Sequence, residues 1–248
     1  MKEMLCLLGI LLGLGMSQAP QQSTRDYLQH LVGQRLILRH YAGSSNPQVK
    51  EKNLNGKRGG CDEAVEVTGV ALNKSAIQFK LRNIGSPVIQ KKSKACTIDL
   101  PDDYLLRITE FELDQPLDQA ENAIGYVLQT PEAYLAAYGV TLNLPPSSEN
   151  DSPVDFPHPG ITGPEAVLAV MPYYSDTNRK ARIEGRVTVR CVIGTDGLVH
   201  APVIEKGINQ QLNMLTLDAL TFWRLEPARE GARSVAAKVP VEISFGML

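Results

Sequence analysis

Three groups of residues have types and spacings suited to chemistry. Gly59-Gly60-Cys61-Asp62 sets a thiol after two glycines, and with His40 as base it would make the cysteine nucleophile of a hydrolase. Asp102-Asp103 is a carboxylate pair, but Pro101 in front of it makes the trio read as a turn. The four histidines, His30, His40, His158 and His200, stand at none of the spacings that hold a metal, and the cysteines form no C-x-x-C. No G-x-S-x-G elbow is present. The third group offers main-chain chemistry. Residues 236–245, centred on Lys238, Val239, Pro240, Val241, Glu242 and Ile243, alternate like a strand, and Pro240 inside it has no N–H to give. Proline is tolerated at a sheet edge, and an open edge can take up an extended peptide as an added strand. Lys238 and Glu242 would point outward beside it. Such charges commonly guard an edge against unwanted pairing, so the strand reads equally as a protected edge or as a protein-binding one, and either is favoured over an enzyme, with no catalytic group, no metal and no cofactor.

The elements that must position this edge are legible upstream. Val187, Val189, Cys191 and Ile193 form a strand of period two that runs into Gly194-Thr195-Asp196-Gly197. Asp-Gly between alternating segments predicts a hairpin, because glycine supplies the positive φ of the turn. A second strand follows over Leu198–Glu205. Leu212, Leu215, Ala219, Leu220 and Trp223 then share one stripe of a helix, with Trp223 in the core. The last strand carries Val239, Val241, Ile243 and Phe245 inward. Strand, hairpin, strand, helix, strand predicts an α+β unit: a three-stranded antiparallel sheet with one helix on one face. Arg186, Thr188 and Arg190 would lie on the opposite face.

Pro172-x-Tyr174, Arg179, Ile183-Glu184-Gly185, Asp196-Gly197, Trp223-Arg224-Leu225-x-Pro227-Ala228 and the closing strand to Phe245 occur in one order. This set resembles the C-terminal domain of TonB, the protein that couples the energised inner membrane to outer-membrane receptors. The resemblance covers about the last third of the chain, placed here at 161–248. It departs at Ser175, where the family often has proline, and at Asn178, where it often has alanine. The resemblance implies a protein partner, an outer-membrane receptor or transporter, whose short N-terminal peptide is captured by the last strand. It gives Tyr174 a structural role and leaves Tyr173 to line the peptide groove. TonB's long Pro-rich spacer and uncut membrane anchor are not matched, so the alternative is an accessory protein that keeps the fold without energy coupling. The same edge could pair with a second copy of the chain.

The remaining sequence sets the context. Lys2, the apolar run Met4–Met16 and Ser17-Gln18-Ala19 have the order of a secretory signal, assigned to residues 1–19. The run is shorter than the ~20 apolar residues that span a bilayer. Export places the chain in the periplasm or cell envelope of a diderm bacterium. Cys61, Cys96 and Cys191 then remain. Cys191 lies on the apolar face of its strand, so Cys61 and Cys96 are the candidate disulfide, a reading that opposes the hydrolase. A composition of 43% apolar and 21% charged residues is that of a soluble globular protein with room for about two domains. The net charge of −2 gives no nucleic-acid footprint, and Lys91-Lys92-Ser93-Lys94 reads as a solvated loop.

Residues 20–143 read as a β-rich domain with helices at both ends, a small barrel being the candidate form. Its expected strands are Arg35–Tyr41, Ala64–Leu72, Ala76–Asn83, Ala95–Leu100 and Tyr104–Leu113. Helices are expected after Ser23 or Thr24, after Asp114-Pro116 and from Thr130-Pro131 to Gly139. Residues 144–160, with five prolines among Ser, Asn and Asp, read as a stiff joint of about 3.1 Å per residue.

Overall fold

The computed structural model describes residues 19–39, 62–73, 76–90, 103–109, 121–122, 124–125, 127–144 and 152–246. Cys61, Cys96, His40, the signal segment before residue 19, the lysine cluster at 91–94 and the strand expected at 95–100 lie outside these residues.

The chain opens with helix α1 (Ala19–His30), which Gly33 at φ 85° ends, and strand β1 (Arg35–Leu38). Strands β2 (Glu63–Asn73) and β3 (Ala76–Ile89) form a long antiparallel hairpin, both longer than the alternation suggested. Strand β4 (Asp103–Thr109) pairs with the first half of β3. Residues 121, 122, 124, 125 and 127 are helical and lead into β5 (Leu128–Gln129), which pairs with β1. Helix α2 (Pro131–Ala137) follows as the sequence predicts. Thr130 Oγ1 accepts the Ala133 N–H, proline fills the first turn, and Gly139 follows at φ 63°.

Next come β6 (Val154–Asp155), β7 (Ile161–Thr162), β8 (Glu165–Pro172) and the short helix α3 (Asp176–Lys180). Strands β9 (Gly185–Ile193) and β10 (Val199–Lys206) form the predicted hairpin, with Gly197 at φ 74° in its turn. Helix α4 (Gln210–Leu220) is capped by Asn209, whose side chain accepts the Leu212 N–H at 2.8 Å. Strands β11 (Arg224–Glu226), β12 (Ala228–Glu230), β13 (Arg233–Val235) and β14 (Ala237–Phe245) complete the described chain.

The N-terminal strands form an open sheet in the order β11-β8-β3-β2-β1-β5, with β4 also on β3. Among the described residues the order runs between two ends, β11 and β5, and these pairings do not close into the barrel considered above. The second half of β3 has room for β8 because Gly85 lies opposite Pro172. A Cβ at Gly85 would overlap the Met171 carbonyl, so glycine here permits the close approach of two backbones. This pairing carries the chain from the N-terminal sheet directly into the C-terminal region.

The C-terminal sheet has the order β10-β9-β14-β6. The three expected strands and their antiparallel pairing are present. The fourth, β6, lies in the segment read as a Pro-rich joint, and a strand of two residues leaves too short an alternation to stand out. Helix α4 lies between the two sheets. Its Leu212 and Leu220 pack with Val187, Val189, Ile243 and Phe245 of the C-terminal sheet. Ala219 and the following Phe222 pack with Ile37, Ala64, Ile84, Leu168 and Val170 of the N-terminal sheet. Asp218 extends this junction. Its carboxylate accepts from Arg35 of β1 at 2.5 Å and from Arg82 of β3 at 2.9 Å, and Arg82 also pairs with Glu66.

Candidate functional site

The candidate site is the outer side of β14. Val154 N donates to Ala236 O at 2.9 Å and Phe156 N donates to Lys238 O at 3.0 Å. Hydrogen-bonding direction alternates along a strand. The N–H and C=O groups of Lys238, Glu242 and Ser244, and the carbonyl of Pro240, therefore point away from β9. Those of Val239, Val241, Ile243 and Phe245 point toward it, opposite Cys191, Val189, Val187 and Gly185. Pro240 thus places its missing donor on the outer side and leaves the internal ladder complete. Strand β6 pairs with β14 only at Ala237 and Lys238. Beyond Lys238, no described strand pairs with this side.

Side chains alternate with the backbone. Val239, Ile243 and Phe245 are buried and Val241 is half-buried, whereas Lys238, Pro240, Glu242 and Ser244 are exposed. Lys238 Nζ lies 3.4 Å from Asp155 of β6, and Glu242 accepts from Arg186 at 2.9 Å. Arg190 pairs with Glu205 across to β10. The expected solvent face is therefore laced with cross-strand ion pairs, each between exposed groups and individually weak. At the far end of β14, Ser244, Phe245, Gly185, Arg186, Glu184 and Lys206 line a shallow depression of about 520 Å³.

The two tyrosines differ. Tyr174 donates from its hydroxyl to Ile183 O at 2.8 Å and packs its ring against Phe245 at 5.8 Å between centroids, so it ties the approach segment to the end of β14. Tyr173 is half-buried, and its N–H donates to Ile84 O at 2.7 Å at the junction with β3. The structure brings Lys238 to Ile243 together on one strand and places Tyr173 at the sheet junction.

Trp223, half-buried, donates from Nε1 to Val170 O at 3.1 Å and packs among the cores of both sheets. Arg224 bonds Glu132 of α2 at 2.6 Å. Burial raises the Glu132 pKa, but the bond to Arg224 outweighs it and the net shift is downward. Leu225 N donates to Gly197 O at 2.9 Å, tying the β9–β10 hairpin to the chain after α4. Cys191 is buried with a free thiol, and burial pushes its pKa up to about 11.

These contacts give Tyr174, Ile183, Gly197, Trp223, Arg224 and Leu225 of the ordered motif set a structural use, and residues 170–247 match the family model described as Gram-negative bacterial TonB protein C-terminal. Residues 170–247 form a TonB-type C-terminal domain. The match begins within β8 and covers the hairpin, α4 and β14. No curated protein matches the chain. The TonB C-terminal family is a transport-related, non-enzymatic one of the Gram-negative envelope. Among the described residues, no helix is long and apolar enough to cross a membrane.

Sequence reading missed two features: strand β6, which lies before the matched residues, and the polar network at Ser175 and Asn178 within them. The aromatic Phe156 after Val154-Asp155 was the available signal for the first. The second was visible only as two departures from the family pattern.

Proposed function

We propose that the chain is a protein-binding protein of a diderm bacterial envelope. Its TonB-type domain takes up an extended segment of an outer-membrane receptor or transporter as an added strand along Pro240–Ser244. One observation carries the reading: β14 pairs with β9 over its whole length, but with β6 only at Ala237 and Lys238. The exposed main chain of Glu242 and Ser244 supplies two donors, and Pro240, Glu242 and Ser244 supply acceptors. Such groups give affinity in strand addition without any catalytic group. Lys238 belongs to the same edge but is already engaged by β6. Val239, Val241 and Ile243 hold the strand in place from beneath, and Tyr173 flanks the approach outside the added ladder.

The test is capture from envelope extract by the full-length chain, beside a Glu242→Pro variant. This substitution removes an outward N–H and leaves the β9 ladder intact, whereas proline at Val241 would break that ladder. Retention of an outer-membrane protein by the wild type and its loss from the folded variant is expected. Equal retention by both, or retention of a second copy of the chain alone, would overturn the reading.

A further inference from the structure

The start of the open edge is not empty: the chain's own Val154-Asp155-Phe156 lies there. It runs parallel to β14, with Val154 opposite Ala237 and Asp155 opposite Lys238. Two main-chain bonds hold it, from Val154 N to Ala236 O and from Phe156 N to Lys238 O. Asp155 is nearly fully exposed, and its carboxylate lies 3.4 Å from Lys238 Nζ. Phe156 turns inward and packs with the cluster of Ile161, Val235 and Val239. Its ring lies against Gly163, where a Cβ would come within 2.6 Å. The segment therefore has a seat of three parts: an open ladder, a cation and an aromatic socket.

We propose that Val154–Phe156 is an internal guest of the partner edge. The partner segment that displaces it has the same chemistry: apolar, then acidic, then aromatic, extended and parallel to β14. The proposal rests on the strand-addition reading above. Strand β6 is two residues long and its acidic residue is solvated, so its hold is short: the packing of Val154 and Phe156 and two main-chain bonds. A longer guest repeats its contacts and adds the outward groups of Glu242 and Ser244, which β6 never reaches. The internal segment lowers the population of the open edge and so weakens every outside guest by that fraction.

The probe is a synthetic peptide of residues 152–158 with blocked termini and a fluorescent label, titrated by anisotropy into the full-length chain. Three forms are compared. In the opened form, Val154→Pro with Phe156→Ala removes one donor and the aromatic anchor. In the bridged form, Asp155→Cys with Lys238→Cys joins two directly paired positions by a disulfide within the reach of such a bond. The wild type is the third.

The opened chain should bind the peptide at least about tenfold tighter than the wild type. The oxidised bridged chain should bind at least about tenfold more weakly than the same chain after reduction. A peptide with lysine in place of its aspartate should bind the opened chain about threefold more weakly, and less so at high salt. Equal binding by all three forms, or no binding by an opened chain that still unfolds cooperatively, would overturn the proposal. If the opened chain loses its fold, the oxidised and reduced bridged chain decide alone: equal affinity of the two overturns it. Peptide exchange without capture of any envelope partner leaves this inference standing and removes the outer-membrane reading. Capture of one partner equally by all three forms does the reverse.

Discussion

Asn178 donates from Nδ2 to Ser175 Oγ at 2.8 Å, and these are the two positions where the sequence departs from the TonB pattern. Ser175 also caps α3 by accepting the Asn178 N–H. Asn178 Nδ2 reaches Gln211 at 2.7 Å and its Oδ1 accepts from Asn209, the cap of α4, at 2.8 Å. The two departures are one polar joint between α3 and the start of α4. Both side chains are buried, so each depends on the other for its hydrogen bonds.

Ser175→Ala should therefore cost about 1 kcal/mol of stability through the lost cap. Asn178→Ala should cost about 2 kcal/mol by leaving buried partners unsatisfied. The double variant should cost less than the sum, with a coupling of about 1 kcal/mol. Denaturant unfolding of the four chains measures this, and strict additivity would contradict the joint.

The second prediction concerns the junction at α4. Asp218→Ala removes the bonds from Arg35 and Arg82 and should cost about 2 kcal/mol. The arginine side chains are each about a third exposed and can rehydrate. Phe222→Ala, at a site 1% exposed, should cost more, about 4 kcal/mol. Thermal unfolding orders the two variants, and the reverse order would contradict the packing described.

The same junction makes the fragment 161–248 a demanding object. Cut from the rest, it exposes Leu168, Val170, Ala219 and Phe222, which pack with Ile37, Ala64, Ile84, Tyr134 and Leu135 in the full chain. It should bind a hydrophobic dye and unfold without cooperativity. A sharp unfolding transition in the isolated fragment would show that β8 and α4 do not need their N-terminal cover.

Cys191 gives a prediction in pH. Its thiol pKa is raised by burial from 9.0 to about 11. The unfolded chain loses this proton at lower pH than the folded chain. The associated stability is therefore present below pH 9 and is lost as pH rises toward about 11. At pH 8 in the folded chain the thiol should resist alkylation, and in denaturant it should react at once. Mass mapping of the labelled cysteines checks both, and rapid labelling of Cys191 in the native chain would contradict its burial.

Most of the C-terminal unit was legible because its strands are covered on one face and so alternate. Val187, Val189, Cys191 and Ile193 are all buried, as are Val239, Ile243 and Phe245. Asp196-Gly197 and Thr130-Pro131 announced their turn and cap by local chemistry. Strand β6 was not legible, because two residues carry no period and the prolines around it favoured an extended joint. The partnership of β8 with β3 was also hidden. It depends on a close approach at Gly85, a glycine that sequence alone does not distinguish from any other. The outer side of β14 was inferred from Pro240, and its closure at Lys238 was not, since that closure comes from β6.

The most direct test of the account places a photo-crosslinking residue at Ser244 of the full-length chain in living cells, with Val203 as the comparison. Val203 is exposed on β10, the strand at the opposite edge of the same sheet. An adduct with an outer-membrane protein is expected from Ser244 and none from Val203. No adduct from Ser244, or the same adduct from both positions, would contradict strand addition at β14.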